Sequence, residues 1–153
     1  MAPSAKFGVL EIRMEVPVAA PRRRVWAGLT RDIGEWWPRH FLTQEGSRRF
    51  VLEPRVGGRA YEDAGGGQGL LWWTVLALRR ERMLLLAGDL TAAYGGPARI
   101  LDEFTLVGKG GGTTLRYRGT VHGRIGKDLK ASLEEGWGVL LLQGLKPWAE
   151  KGS

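Results

Sequence analysis

The sequence contains no cysteine, and only two of its 153 residues are histidine. Without cysteine, disulfides, thiolate metal sites and cysteine nucleophiles are all excluded. His40 and His122 are too few for a histidine-rich metal centre, so we expect neither a bound metal nor a cofactor. No apolar run approaches the roughly 18 residues of a membrane span. The N-terminus also lacks the basic and apolar regions of a signal peptide, so we expect a cytoplasmic protein.

Asparagine is also absent, whereas glycine contributes 24 residues. Backbone positions with positive φ must therefore rely on glycine or occasionally on aspartate. The glycine cluster at 65–69 is not followed by a helix. The cluster at 108–112 lacks the upstream glycine and the Ser or Thr of a phosphate-binding loop. Because both clusters separate strand-like segments, they predict hairpin turns.

Positive charge is in excess, with 23 Lys and Arg against 16 Asp and Glu and a net charge of +7. Such a balance attracts nucleic acids or anionic membranes. However, the arginines occur as one triplet, at 22–24, and as pairs at 48–49 and 79–80. No motif interleaves them with stacking aromatic residues, so nucleic-acid binding is not favoured.

The length of 153 residues fits one domain, 1–153, and the hydrophobic periodicity predicts an α+β fold for it. Residues 7–18 alternate apolar and charged side chains, as a half-buried strand does. Two short helices are predicted next, at 21–29 and 30–37, because Pro21 suits a first helical turn and Pro38 ends a helix. Six further strands with glycine-rich breaks indicate antiparallel hairpins. They are expected at 48–52, 58–62, 70–78, 83–90, 98–107 and 113–122.

The segment 127–150 predicts a long C-terminal helix with a broad apolar stripe. The stripe consists of Leu129, Leu133, Trp137, Leu140, Leu141, Gly144, Leu145 and Trp148, and Val139 and Leu142 widen it. A helix this apolar must be wrapped by other elements, and a curved sheet is the natural wrapper. Gly136, Gly138 and Gly144 each cost about 1 kcal/mol relative to alanine. Either close approach of a backbone or ligand, or compensation by tertiary packing, explains them.

Aromatic residues are the most informative set, because the chain has seven tryptophans. Trp72 and Trp73 are adjacent in a predicted strand, so we expect them to face opposite sides of the sheet. Large aromatic side chains either fill a core or line an apolar cavity that binds small molecules. The candidates for lining such a cavity are Trp37, Phe41, Trp73, Tyr94, Phe104 and Trp137.

Catalytic signals are weak, and the G-x-S-x-G motif of a nucleophile elbow does not occur. The acidic pairs 62–63, 102–103 and 134–135 each offer one inward carboxylate. A buried carboxylate with a raised pKa acts as a general acid or base, although a salt bridge with arginine is the commoner role. Glu103 or Asp102, with His122, are therefore the candidates for catalysis.

Several motifs, in their order, resemble the START-like helix-grip superfamily. Two of the motifs resemble the N-terminal part of sequences in that superfamily, and the others are similar to motifs of the branch named after the activator of Hsp90 ATPase. These segments are the APRRRVW at 20–26, the T…WWP at 30–38, the EPRVGGR at 53–59, the WWTV at 72–75, the GTTL at 112–115, and the GW with LK at 136–137 and 145–146. Trp73 stands where the branch usually has glycine. A side chain of this size could shrink the cavity or redirect its entrance, so the substrates of relatives do not transfer to this chain.

The resemblance implies a seven-stranded antiparallel sheet curved around the C-terminal helix, with a cavity between them. In that superfamily the cavity binds lipids, polyketides, hormones or other apolar molecules, and some members are cyclases or hydrolases. We therefore expect a monomer or homodimer that binds a small hydrophobic or amphipathic ligand. The alternatives are a cyclase- or hydrolase-type enzyme with an inward carboxylate, and a chaperone-related protein-interaction module. Because no catalytic set is recognisable, the sequence favours a binding protein.

Overall fold

A seven-stranded antiparallel sheet forms most of the molecule in the computed structural model, which describes residues 6–152. The strands follow the order β1-β7-β6-β5-β4-β3-β2 across the sheet. Their bounds are β1 (Lys6–Val18), β2 (Arg49–Leu52), β3 (Arg59–Gly65), β4 (Gln68–Arg79), β5 (Met83–Leu90), β6 (Ala98–Lys109) and β7 (Gly112–Ile125). The predicted α+β class and all seven strands are confirmed.

Alternation of side chains assigns each strand an inner and an outer face. In β6 the even-numbered residues from Ala98 to Leu106 are buried, whereas the odd-numbered residues between them are more exposed. β7 lies beside β6 with Phe104 opposite Tyr117 and Asp102 opposite Gly119. Inward residues of the two strands are therefore cross-strand neighbours, which places them side by side on the concave surface.

Two short helices follow β1, as predicted. They are α1 (Arg22–Leu29) and α2 (Ile33–Trp36), and a 3-10 turn (Arg39–Phe41) continues the connection to β2. Pro21 precedes α1 with a φ of −69°, close to the value its ring fixes. The buried face of α1 includes Val25 and Leu29, so this helix covers one end of the core.

The C-terminal helix is continuous but changes its pitch. α3 (Leu129–Gly138) passes into a π-helical segment (Val139–Leu145) and then into α4 (Lys146–Lys151). The π-helical segment ends two residues before Pro147, which lacks the N–H that an α-helix needs at that position. Most of the predicted stripe is buried or half-buried, but Leu142 is 47% exposed. Leu142 therefore does not widen the buried face, contrary to the prediction.

Tight packing of the Trp36 side chain explains Gly144, but no such contact explains Gly138. A Cβ atom on Gly144 would lie 2.6 Å from Cε3 of Trp36, whereas one on Gly138 would meet nothing within 4 Å. At the end of the helix, the Glu150 carboxylate accepts a hydrogen bond from the Ala19 N–H at 2.8 Å. These contacts fix the helix against α2 and the end of β1. Within residues 6–152, no helix has the length and apolar character that a bilayer crossing requires.

Candidate functional site

A cavity of about 340 Å³ lies between the concave face of the sheet and the C-terminal helix. Its walls come from β1, β4, β5, β6 and β7 on one side and from α3 and the π-helical segment on the other. The segment 37–43, between α2 and β2, forms a further wall. The lining is largely aliphatic and aromatic, which is typical of small-molecule sites.

Four of the six aromatic candidates line this cavity: Trp37, Phe41, Trp73 and Trp137. The Trp37 ring stacks on Phe50 with centroids 4.0 Å apart, and Trp73 packs against Trp137 at 5.9 Å. These ring contacts fix the side chains, so the walls are formed by rigid groups. Their part in ligand binding stays a prediction.

The other two candidates lie just outside the cavity. Phe104 is buried beneath it and packs against Tyr117 and Trp137, with centroid distances of 5.2 and 5.6 Å. Tyr94 packs against Trp72 at 5.1 Å, and its hydroxyl accepts a hydrogen bond from Gln44 Nε2 at 2.8 Å. Both residues support the walls and do not line them.

Trp72 and Trp73 both line the cavity, so the expectation that they face opposite sides of the sheet is wrong. The reason is an irregularity between β3 and β4: Ala60 pairs with Trp73, but Tyr61 pairs with Leu71. Trp72 is thus the extra residue of a β-bulge, and a bulge changes the direction in which side chains point. The two indoles end 5.9 Å apart.

Asp102 is the inward member of its acidic pair, and it lines the cavity with only 3% of its surface exposed. Its Oδ1 accepts a hydrogen bond from the Tyr117 hydroxyl at 2.6 Å, and its Oδ2 accepts one from Trp73 Nε1 at 2.8 Å. Gly119 lies directly opposite Asp102 on β7. A Cβ atom there would lie 2.1 Å from the Tyr117 hydroxyl oxygen, so only glycine leaves room for this bond.

Burial controls the ionisation of this pair. Loss of hydration raises the pKa of Asp102 to about 6, although the bonds from Tyr117 and Trp73 oppose the rise. Burial, together with the neighbouring carboxylate, also raises the pKa of Tyr117. Tyr117 therefore stays protonated at neutral pH and remains a donor to Asp102.

Glu103 and His122, the other catalytic candidates, do not reach the cavity. Glu103 points to the outer face of β6 and forms an ion pair with Arg118, with Oε1 and the guanidinium nitrogen 3.0 Å apart. His122 is exposed on the outer face of β7, opposite Arg99. The structure thus leaves Asp102 alone among the three at the cavity.

A second buried carboxylate, Glu62, holds one wall in place. Burial opposes its ionisation, but hydrogen bonds from Trp72 Nε1, the Gln44 N–H and the hydroxyls of Ser47 and Thr43 outweigh it and lower its pKa. The Thr43 N–H donates as well, at 2.8 Å. All five donors lie within 3.0 Å of a Glu62 oxygen. Glu62 therefore fastens the segment containing Thr43 to β3 and β4.

One polar atom near the cavity has no partner. Trp37 Nε1 is buried and has no hydrogen-bond acceptor among residues 6–152. A buried donor without an acceptor is unfavourable by about 1–3 kcal/mol. No three His, Asp or Glu side chains of the described residues are grouped so that they could hold a metal ion.

Sequence signals did exist for residues that the sequence analysis left open. In β6 the buried apolar residues are even-numbered, which assigns Asp102 inward and Glu103 outward. In β7 they are odd-numbered, which places Tyr117 inward and His122 outward. No residue type in β4 predicts the bulge at Trp72, because the register of β4 is set by its pairing with β3.

Solved structures similar to this chain share its architecture across nearly the whole length. An uncharacterized protein from Rhizobium leguminosarum is 19% identical, with a TM-score of 0.71, covering 96% of this chain and 98% of that one. CalU16 from Micromonospora echinospora is 18% identical, with a TM-score of 0.66 and coverages of 97% and 87%. The Aha1 dimer from Colwellia psychrerythraea is 22% identical, with a TM-score of 0.60 and coverages of 94% and 98%.

The protein has the START-like helix-grip fold. This likeness confirms the resemblance found in the sequence at the level of the fold, which is as far as identities of this size extend. No protein-family model matches the sequence, and no curated protein matches it. Within the helix-grip fold, the cavity described above is the space between sheet and helix.

Proposed function

We propose that this helix-grip protein binds a small, largely apolar molecule in the cavity between the sheet and the C-terminal helix. The observation that carries the proposal is the cavity itself, about 340 Å³ in volume and walled by Trp37, Phe41, Trp73 and Trp137. This volume falls in the usual range for small-molecule sites.

A pair of glycines on α3 gives a matched test. Gly136 lines the cavity, and a Cβ atom there would have Phe41 Cε2 as its nearest neighbour at 4.0 Å, whereas one on Gly138 would meet nothing within 4 Å. Gly136→Leu therefore places a side chain in the cavity without a backbone clash. Gly138→Leu adds the same group to the same helix outside the cavity.

Binding is measured by native mass spectrometry and tryptophan fluorescence against a library of lipids and aromatic compounds. Ligands of the wild-type protein should bind Gly136→Leu at least about tenfold more weakly and bind Gly138→Leu unchanged. Equal binding by wild type and Gly136→Leu would place the ligand elsewhere. A library with no ligand for the wild-type protein would contradict the proposal.

An enzyme of cyclase or hydrolase type is the second candidate, and one observation favours it. Asp102 lines the cavity, and burial raises its pKa to about 6, a value at which a carboxyl group exchanges protons near neutral pH. Turnover of a cavity ligand that Asp102→Asn abolishes, while that ligand still binds, would support this reading. A bound ligand recovered unchanged after prolonged incubation would remove it.

A further inference from the structure

We propose that the ligand of this cavity is a hydrophobic cation, an apolar body whose protonated amine binds at Asp102. The proposal rests on the proposed function, since it names the class of molecule that the same cavity takes. It follows from three features: a buried carboxylate without a cationic partner, the absence of lysine and arginine from the described lining, and walls made of aromatic rings.

Asp102 has two neutral hydrogen-bond partners and no charged one. Its donors are Tyr117 and Trp73, and none of the ion pairs among residues 6–152 includes it. An ionised carboxylate has about four lone pairs able to accept hydrogen bonds. Acceptor capacity therefore remains on both oxygens of a group that lines the cavity. An ammonium donor from a ligand would use that capacity and neutralise the charge.

Comparison with Glu62 shows what Asp102 lacks. Both carboxylates are buried, but Glu62 receives five hydrogen bonds and Asp102 only two. The donors lower the pKa of Glu62 despite its burial, whereas burial dominates at Asp102 and raises its pKa. Asp102 is thus a buried acid whose charged form is incompletely stabilised by the protein, and a bound cation favours that charged form.

The lining selects against anions. The chain carries 23 Lys and Arg, yet the described lining of the cavity contains none of them. Asp102 is its only acidic residue, and His40 is its only basic one. A ligand carboxylate would therefore meet a like charge and no arginine. The protein as a whole has a net charge of +7, whereas the charged group in the lining of its cavity is the carboxylate of Asp102.

Aromatic faces add attraction for a cation. Trp37, Trp73, Trp137 and Tyr117 surround the cavity, and Tyr117 and Trp137 pack with centroids 4.6 Å apart. The negative faces of such rings attract ammonium groups, most strongly where water is excluded. The same rings bury the apolar part of the molecule, so one set of walls serves both ends of an alkylamine.

Three ligands with the same eight-carbon chain separate charge from hydrophobicity: octylamine, octanol and octanoate. Isothermal titration calorimetry at neutral pH on the full chain is expected to rank them in that order. Octylamine should bind at least about tenfold more tightly than octanol, since it adds a charge-assisted hydrogen bond and cation–π contacts. Asp102→Asn should remove this preference, so that octylamine binds no more tightly than octanol. Glu103→Gln removes the neighbouring outward carboxylate and should preserve the preference.

The wild-type ranking decides the matter even if Asp102→Asn fails to fold. Equal binding of octylamine and octanol, or tighter binding of octanoate, would contradict the proposal of a cationic ligand. Either result would still be consistent with ligand binding in the cavity. A preference for octylamine that survives in Asp102→Asn, or disappears in Glu103→Gln, also overturns it, because the charge would then be recognised elsewhere. If none of the three compounds binds, the proposal of a cationic ligand is also wrong. The library screen with Gly136→Leu then tests separately whether the cavity binds a ligand.

Discussion

At the scale of the residue, Gly119 shows how the absence of a side chain positions a polar pair. Because Gly119 has no Cβ atom, the Tyr117 hydroxyl occupies that space and donates its hydrogen bond to Asp102. Strand interiors disfavour glycine because it has no side chain to pack. The cost is offset here by a buried hydrogen bond to a carboxylate, which is stronger than one between neutral groups.

Gly119→Ala should therefore destabilise the protein by about 1–3 kcal/mol, because the new Cβ displaces the Tyr117 hydroxyl and leaves Asp102 with one donor. Gly8→Ala is the matched control, since a Cβ atom on this β1 glycine meets nothing within 4 Å. Its unfolding free energy should stay within about 0.5 kcal/mol of wild type. Urea denaturation measures both, and equal losses in the two variants would contradict the account.

At the scale of the element, the C-terminal helix contains two glycines with opposite expectations. Gly144→Ala should lower the unfolding free energy by about 1–3 kcal/mol, because its Cβ would overlap Trp36. Gly138→Ala should raise it by about 0.5–1 kcal/mol through helix propensity alone. Thermal and urea unfolding of both variants test this, and stabilisation by Gly144→Ala would show that α2 does not press on the helix as described.

The segment between α2 and β2 depends on one carboxylate. Glu62→Gln replaces an acceptor oxygen with an amide NH₂ group, so hydrogen-bond donors of the segment lie against another donor. The unfolding free energy should therefore fall by about 2–4 kcal/mol. Hydrogen exchange of the Thr43 and Gln44 amides should accelerate, since both donate to Glu62.

Glu103→Gln serves as the control for this segment, because its ion pair with Arg118 lies on the outer face and should contribute less than about 1 kcal/mol. Unchanged amide exchange at Thr43 and Gln44 in Glu62→Gln would mean that other contacts hold the segment.

Alternation and apolar spacing were sufficient to predict the strands and the long helix, because each pattern extends over many residues. The site was harder to predict. Four of its lining aromatic residues were among the candidates predicted from the abundance of aromatic side chains. The direction of Trp72, however, depends on a bulge against Ala60 and Tyr61. Four of the five hydrogen bonds that Glu62 receives come from a loop without periodicity. Contacts that depend on register or on an irregular segment carry no local sequence signal.

At the scale of the whole molecule, two buried carboxylates give opposite contributions to the pH dependence of stability. The pKa of Glu62 is lowered on folding, so its contribution is present above its unfolded pKa and is lost as the pH falls. The pKa of Asp102 rises from 3.8 to about 6, so the folded state binds more protons in that interval. Its contribution therefore makes stability fall as the pH rises from 3.8 to about 6.

Asp102→Asn should remove this fall. The difference in unfolding free energy, wild type minus variant, should decrease by about 2–3 kcal/mol across that interval and then level off. Denaturation curves at a series of pH values measure it. The exposed carboxylates are common to both proteins and cancel in the difference. A difference that is flat with pH would mean that Asp102 ionises in the folded protein as it does in water, and one that increases would mean that folding lowers its pKa.

The spacing of the indole rings has an optical consequence. Ring centroids are 5.6 Å apart in Trp36–Trp37, 5.9 Å in Trp72–Trp73 and 5.9 Å in Trp73–Trp137. Electronic transitions of chromophores this close couple, so ultraviolet circular dichroism is expected to contain an exciton doublet. Any guest that tilts Trp73 relative to its neighbours changes the amplitude of that doublet, and the chain thereby carries an intrinsic, label-free reporter of occupancy.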